Sequence, residues 1–319
     1  MDAQRGQTPI RRAVVNGPLG TVGMATVNNL LSRGIETLAV CFPGDPRIAN
    51  LPSGAKVIEL DMREIRRLPE IAGGGADAFF HLAWMGTIGP GRNDAAIQTE
   101  NIRCAVEAAR AAKELGCAVF TGVGSQAEHG RIEGLVRPDS PCCPNTGYGI
   151  AKLCAGQMTR LLCRQLGMRH VWARILSAYG PGDGPLSVIP TLLGRLLKKE
   201  KPALTKGEQL WDFCYSGDAA EALYRMAAFG KDGAVYPVGS GQARPLREYF
   251  EIARDAVDPS LPLGLGEIPY PENQVMHLQA DLSALERDTG FRPRVSFEEG
   301  IRRTLEAIRT EERRADGKS

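Results

Sequence analysis

Through the first two-thirds of the chain, short and nearly continuous apolar runs alternate with amphipathic stretches. The runs at 13–15, 37–41, 56–60, 78–82, 117–121 and 170–176 predict strands, and the stretches at 20–33, 94–115 and 148–166 predict helices. Strands that are apolar throughout are covered on both faces, and the intervening helices supply the cover. The pattern therefore predicts an α/β fold built on a doubly wound parallel sheet. After Tyr179 the periodicity loosens. Gly180-Pro181-Gly182-Asp183-Gly184-Pro185 marks a loop. A helix is predicted over 189–199, a strand over 211–215, a helix over 217–229 and a strand near Val235, with further helices over 246–256 and 298–310. Proline and glycine are dense from 258 to 271, which predicts loop, and the charged end at 311–319 is expected to fray.

Composition narrows the function classes. Lys and Arg number 39 against 37 Asp and Glu, a net charge of +2, which offers no electrostatic footprint for nucleic acid or an anionic membrane. No apolar stretch approaches bilayer-spanning length, and the polar opening Met1–Pro9 does not read as a secretory signal. None of the eight cysteines is spaced C-x-x-C, and His81, His129, His170 and His277 show no ligand spacing, so no metal site is expected. Reduced thiols and a cytoplasmic location are the expectation.

Directly after the first predicted strand stands Asn16-Gly17-Pro18-Leu19-Gly20-Thr21-Val22-Gly23. Glycines at Gly17, Gly20 and Gly23, between a strand and a helix, permit a tight turn and let backbone approach a pyrophosphate. The helix start then offers free N–H groups to the anion. A Rossmann-type dinucleotide domain is thus predicted over 10–180, with 211–240 returning to it. A smaller C-terminal α/β substrate-binding domain is predicted from 181–210 and 241–310, and the ends 1–9 and 311–319 are expected to be flexible. The acid that would hold an adenosine ribose is expected at the end of the second strand, but Phe42 stands there. Asp45 can reach a 2′-hydroxyl, or Arg47 a 2′-phosphate. The cofactor is NAD or NADP, and Arg47 tips the reading towards NADP.

Tyr148 and Lys152 lie four apart at the start of a predicted helix and so share one face. A phenol beside a cation ionises more readily and can exchange a proton with an alcohol or carbonyl oxygen. Ser125, just past a strand end, can hydrogen-bond that oxygen. Strand carboxyl ends are where open α/β sheets bind ligands.

At these residues the chain resembles the extended short-chain dehydrogenase/reductase family, the NAD-dependent epimerase/dehydratase group, over roughly 11–307. The landmarks are Gly17 to Gly23, Leu60-Asp61, His81-Leu82-Ala83, Asn101, Ser125, Tyr148 with Lys152, Arg174 to Pro181, Asp212-Phe213, Gly217 to Ala222, Asp281 and Gly290 to Pro293. The resemblance implies that Leu19, Thr21 and Val22 hold the dinucleotide with the glycines, and that Asp61 and Met62 contact adenine. Leu82, Ala83 and Trp84 would line the cofactor channel, and Asn101 would bind the cofactor as well. Ser125 would position the substrate oxygen, Tyr148 would act as acid/base, and Lys152 would lower its pKa and hold the cofactor's ribose. Gln126, His129, Ser177, Ser187, Val188 and Trp211 would face the substrate. The implied activity is a nucleoside-diphosphate-sugar 4-epimerase or 4-ketoreductase, and the implied assembly a homodimer through the helices at 101–115 and 148–166.

The departures matter as much. Family dehydratases carry Asp-Glu after the serine or threonine; Gln126-Ala127 stand here, which disfavours 4,6-dehydration. Trp211 replaces an arginine that faces the substrate diphosphate, and another is missing near Tyr270-Pro271-Glu272. Arginine is the natural bidentate partner of a diphosphate. Arg195, Lys198, Lys199 and Arg244 are candidate substitutes. The Gln-Leu-Trp-Asp-Phe and Gly-Ser-Gln-Ala-Glu segments nevertheless look similar to CDP-sugar reductases and epimerases. Two alternatives stay open: an NADPH-dependent reductase of a carbonyl substrate lacking a nucleotide, and a non-catalytic dinucleotide sensor.

Overall fold

The computed structural model describes residues 9–184, 186–272 and 274–316. The apolar runs of the first half become β1 (Arg12–Asn16), β2 (Glu36–Cys41), β3 (Lys56–Glu59), β4 (Ala78–His81) and β5 (Val119–Ser125). Between them lie α1 (Thr21–Ser32), a single turn α2 (Leu68–Ile71) and α3 (Ala95–Glu114). Next come β6 (Gly134–Val136), α4 (Gly147–Gln165), β7 (Arg169–Ile175), β8 (Ser177–Tyr179), α5 (Val188–Leu197), β9 (Ala203–Leu204), β10 (Leu210–Trp211) and β11 (Phe213–Tyr215). The chain closes with α6 (Ser216–Phe229), β12 (Ala234–Val238), β13 (Arg244–Pro245), α7 (Leu246–Val257), β14 (Gly264–Leu265), β15 (His277–Ala280), α8 (Ser283–Thr289) and α9 (Phe297–Asp316).

Seven strands form the central parallel sheet in the order β12-β7-β5-β4-β1-β2-β3. The chain winds outward from β1 to β3, then crosses back to place β4 on the other side of β1. That reversal opens a crevice at the strand carboxyl ends, the general ligand position in such sheets. Alternate residues of each strand serve opposite faces. Ala13 and Val15 join Val27 and Leu30 of α1 and Leu223 and Met226 of α6, whereas Val14 joins Phe79, Phe120 and the alanines of α3. Both sets are wholly buried, which is why these strands show no polar alternation. This is a Rossmann-type doubly wound sheet with a smaller C-terminal α/β part.

That smaller part contains a four-stranded sheet ordered β13-β10-β15-β6, while β11 pairs with β8. The single strand predicted over 211–215 is therefore two, divided at Asp212. The physical cause is a buried carboxylate. Asp212 accepts hydrogen bonds from Ser240 N and Oγ, Gly241 N and Ala280 N at 2.7, 2.6, 3.0 and 3.0 Å. The backbone on either side is handed to different sheets. The loop predicted over 258–271 contains the two-residue strand β14, and α9 runs past the predicted end at 310 to Asp316. The remainder of the ends expected to be flexible, 1–8 and 317–319, lies outside the described residues. All eight cysteines are free thiols, and among the described residues no helix is long and apolar enough to cross a membrane.

Candidate active site

The glycine segment does three different jobs. Gly17 follows β1 with φ +88°, and a Cβ there would lie 2.4 Å from Ala83 N, so only glycine lets the β1 and β4 ends close together. A Cβ on Gly23 would lie 2.3 Å from Gly17 O, so this position packs the helix against its own loop. Gly20, the residue before α1, has no heavy atom within 4 Å of its would-be Cβ and faces open space. The first turn of α1, Thr21 and Val22 included, carries no acidic residue, which leaves its positive end available to an anion. This donor set suits a pyrophosphate.

A cleft of about 480 Å³ opens above this turn. It brings together Gly17, Leu19, Gly20, Phe42, Arg47, Asp61, Met62, Leu82, Ala83 and Trp84 from the sequence-derived set. Leu82 N and Ala83 N both donate to Asn16 O at 2.8 Å, which fixes the channel wall. Asp45 accepts from Arg47 Nε and Nη2 at 3.0 and 2.6 Å, so the two candidate ribose readers pair with each other. Asp61 pairs likewise with Arg63. Asn101 is wholly buried and does not line the cleft; it clamps Met85 by accepting from its N–H and donating to its carbonyl at 2.9 and 2.8 Å. Asn16, Val40, Met85 and Thr87 line the cleft without having been assigned a role from the sequence, and Leu60 lines it beside Asp61.

Ser125 ends β5 and begins a turn. Its Oγ accepts from Ala127 N at 3.2 Å, while the Glu128 carboxylate accepts from Ser125 N at 2.9 Å, a reciprocal capping box. Tyr148 lies in the first turn of α4, whose start is held by Thr146 Oγ1 accepting from Gly149 N at 3.1 Å. Burial raises the Tyr148 phenol; a hydrogen bond with the Ser125 side chain and the charge of Arg92 draw it back down. Trp84, which lines this cleft, meets Tyr148 edge-on with ring centroids 6.2 Å apart, so the phenol lies behind the cleft wall; Ser125, Tyr148 and Lys152 are not themselves among the residues that line it.

Lys152 is buried, and its Nζ donates to Val123 O at 2.7 Å and lies 3.8 Å above the Trp84 ring. Burial pulls the ammonium down to about 7, with the Glu128 charge opposing that pull. The four-residue spacing predicts an ammonium beside the phenol. Lys152 Nζ is 5.8 Å from the Tyr148 ring centroid, whereas the guanidinium carbon of Arg92, absent from the sequence-derived set, is 4.4 Å from it.

Glu128 also escaped sequence reasoning. It is wholly buried and accepts from Trp172 Nε1 at 3.0 Å and Arg174 Nε at 2.7 Å as well as from Ser125 N. A Cβ on Gly124 would lie 2.1 Å from its Oε1 and 2.2 Å from Trp172 Nε1, so the glycine in β5 exists to admit this cluster. The signal was present in Gly122-x-Gly124, which is odd inside a strand.

Ser177, Ser187, Val188 and Trp211 line a second cleft of about 560 Å³. Its wall is largely apolar, with Leu176, Ile189, Phe213 and Phe250 among its members. Asp183 is the one charged residue on it among the described residues, and Arg195, Lys198, Lys199 and Arg244 do not reach it. Arg244 pairs instead with Glu298. Trp211 Nε1 donates to Ser177 Oγ at 2.8 Å. Gln126 lies apart, in a hollow with Arg92 and Thr146. His129 is buried away from both clefts, its Nδ1 2.8 Å from Pro141 O. Among the described residues no group of three or more His, Cys, Asp or Glu is placed to hold a metal.

The family model for the NAD dependent epimerase/dehydratase family matches residues 13–239. A dTDP-glucose 4,6-dehydratase of Escherichia coli is 28% identical over 170 residues, 51% of this chain and 47% of that protein, so the match spans about half the relative's length. Two solved structures share the fold. The UDP-glucose 4-epimerase of Thermotoga maritima, with UDP-glucose, superposes with a TM-score of 0.82 at 22% identity, over 94% of this chain and 99% of that one. RMD from Pseudomonas aeruginosa, complexed with NADPH, gives 0.80 at 20% identity, over 94% and 99%. The glycine turn, the parallel sheet with its switch point and the family match over most of the chain agree: this chain belongs to the NAD dependent epimerase/dehydratase family.

Proposed function

We propose that this enzyme is an NDP-sugar 4-epimerase or 4-ketoreductase in which Tyr148 is the acid/base. The observation that carries the reading is the Ser125–Tyr148 pair, with the Tyr148 ring against Trp84, a residue that lines the glycine-rich cleft. Bound NAD(P) supplies the hydride acceptor or donor. Ser125 holds the substrate oxygen. Tyr148 takes the proton from a C4 hydroxyl during oxidation and returns one to the carbonyl oxygen during reduction. In an epimerase the ketone turns over between these steps; in a reductase only the second occurs. Dehydration is disfavoured because Gln126 and Ala127 offer no carboxyl group, and the neighbouring carboxylate, Glu128, is already taken by three donors.

Several finer assignments support this reading. Arg47, once released from Asp45, favours NADP. Residues 10–180 with 211–240 act as the dinucleotide domain, and 181–210 with 241–310 as the substrate domain. Ile150, Met158 and Leu161 are exposed on α4, a face suited to a homodimer. Free thiols suit a reducing cytoplasm.

Mass spectrometry of the protein as purified, followed by turnover of NDP-sugars, tests the proposal. An epimerase retains a dinucleotide and works without added reductant, and a reductase consumes NADPH stoichiometrically. Absence of both dinucleotide binding and turnover would refute it. A second reading, reduction of a carbonyl substrate lacking a nucleotide, is favoured by the second cleft's lack of lysine and arginine. Tight binding of free uridine or cytidine diphosphate would exclude that reading.

A further inference from the structure

The loop between β4 and α3 delivers a cation to the catalytic tyrosine. Its path is over-determined. Gly86 has φ +65°, and a Cβ there would meet Gly91 O at 2.6 Å, so the loop folds back tightly upon itself. Gln98, buried on α3, donates through Nε2 to Gly86 O and Gly91 O at 3.0 and 2.9 Å. At the far end Asn93 Oδ1 accepts from Gly147 N at 3.0 Å, which ties the loop to the start of α4 one residue before Tyr148. Arg92 is held from both sides, and its Nη1 donates to Thr87 O at 2.7 Å. The guanidinium is thereby laid on the Tyr148 ring, 4.4 Å from its centroid. Among the described residues no carboxylate pairs with it.

We propose that Arg92 is a catalytic-site cation whose guanidinium, stacked on the Tyr148 ring, stabilises the phenolate that forms during proton transfer. The inference rests on Tyr148 being the acid/base and names a residue outside the Ser125–Tyr148–Lys152 set. Of the two cations found over the Tyr148 ring among the described residues, Arg92 is the nearer, and its role adds to that of Lys152. Lys152, from α4, donates to the Val123 carbonyl and lies over the Trp84 face, and burial pulls its ammonium downward. Glu128, from the turn after β5, opposes phenolate, and its own charge is paired with Arg174. His81, at the end of β4, faces Lys152 and is held neutral by burial. A guanidinium keeps its charge throughout the working pH range, and an electron-rich phenolate face attracts it more strongly than a neutral phenol. The interaction therefore strengthens as the proton leaves, which is the property catalysis requires.

The test is a phenolate titration by ultraviolet absorbance, which needs no substrate. Subtracting the curve of the matching Tyr148→Phe protein isolates residue 148 from the other six tyrosines. Three such pairs are compared: the unaltered chain, Arg92→Gln and Arg92→Lys. In Arg92→Gln the midpoint is expected to rise by about one pH unit, roughly tenfold less phenolate at a given pH, and Arg92→Lys is expected to recover at least half of that shift. An unmoved midpoint in Arg92→Gln overturns the proposal. So does an equal shift in Arg92→Lys, which would mark lost packing rather than lost charge. Failure of the unaltered chain to bind NADH or turn over any substrate would sink the functional reading instead, and the titration would still decide the role of Arg92.

Discussion

Replacing Glu128 by alanine tests how Ser125 is held in place. The carboxylate is wholly buried, with 1% of its side chain exposed against 7% for Arg174. Its removal strands three donors at once: the Arg174 guanidinium, the Trp172 indole N–H and the Ser125 amide. Breaking a buried ion pair from one side costs about 3–5 kcal/mol, because a charge is left uncompensated. Each stranded neutral donor adds roughly 1–3 kcal/mol, reduced where water enters the cavity. Whole domains are stable by about 5–15 kcal/mol, so the first figure alone removes a large share of that margin. Urea denaturation followed by circular dichroism should show a loss of at least about 3 kcal/mol for Glu128→Ala. The double variant Glu128→Gln with Arg174→Met should recover much of it, since replacing a buried pair is far cheaper than halving it. A loss below about 1 kcal/mol for Glu128→Ala, the range of exposed pairs such as Glu64–Arg67, would refute the network as a structural hub.

Three further outcomes are expected. Tyr148→Phe should lower turnover about 10²–10⁴-fold while dinucleotide binding persists, read as NAD(P)H absorbance change with substrate and fluorescence titration without it; undiminished turnover would remove the phenol from the chemistry. Gly17→Val should weaken NADH at least about tenfold in the same titration, because its Cβ lands 2.4 Å from Ala83 N at a positive φ, and unchanged affinity would place the cofactor elsewhere. His170, stacked between Phe120 and Trp172, is pulled down to about 4 chiefly by burial. The unfolded chain binds this proton from pH 6.5 downward and the native chain does not, so stability falls as pH drops from about 6.5 to about 4, by up to ~1.4 kcal/mol per unit. Thermal melts across that window should show a shallower slope for His170→Phe, and an identical slope would rule out this histidine as the cause.

The central sheet was legible because its inner strands are buried on both faces, although the edge strand β3 is largely exposed, and a run such as Ala13-Val14-Val15 carries that burial in one dimension. The glycine turn was legible for the same reason: Gly17, Gly20 and Gly23 are neighbours in sequence as well as in space. What could not be read depends on partners distant along the chain. Asp212 looks like one polar residue in a strand until Ser240, Gly241 and Ala280 converge upon it. Glu128 looks like a surface acid until Trp172 and Arg174 arrive from β7. Strands of two to four residues, such as β6, β10 and β15, are selected by pairing rather than by local pattern. The helical spacing of Tyr148 and Lys152 placed both on α4, but the ammonium's direction follows from Val123 and Trp84, which no spacing rule describes.

The position of Asp212 bears on where the polypeptide can be cut. The family match stops at residue 239, yet the amides that solvate this carboxylate come from 240, 241 and 280. A fragment ending at 239 would expose an unsatisfied anion and strip β10 of β13 and β15. The matched segment is therefore expected not to fold on its own: recombination with a relative should exchange the tail together with residue 212, or keep both.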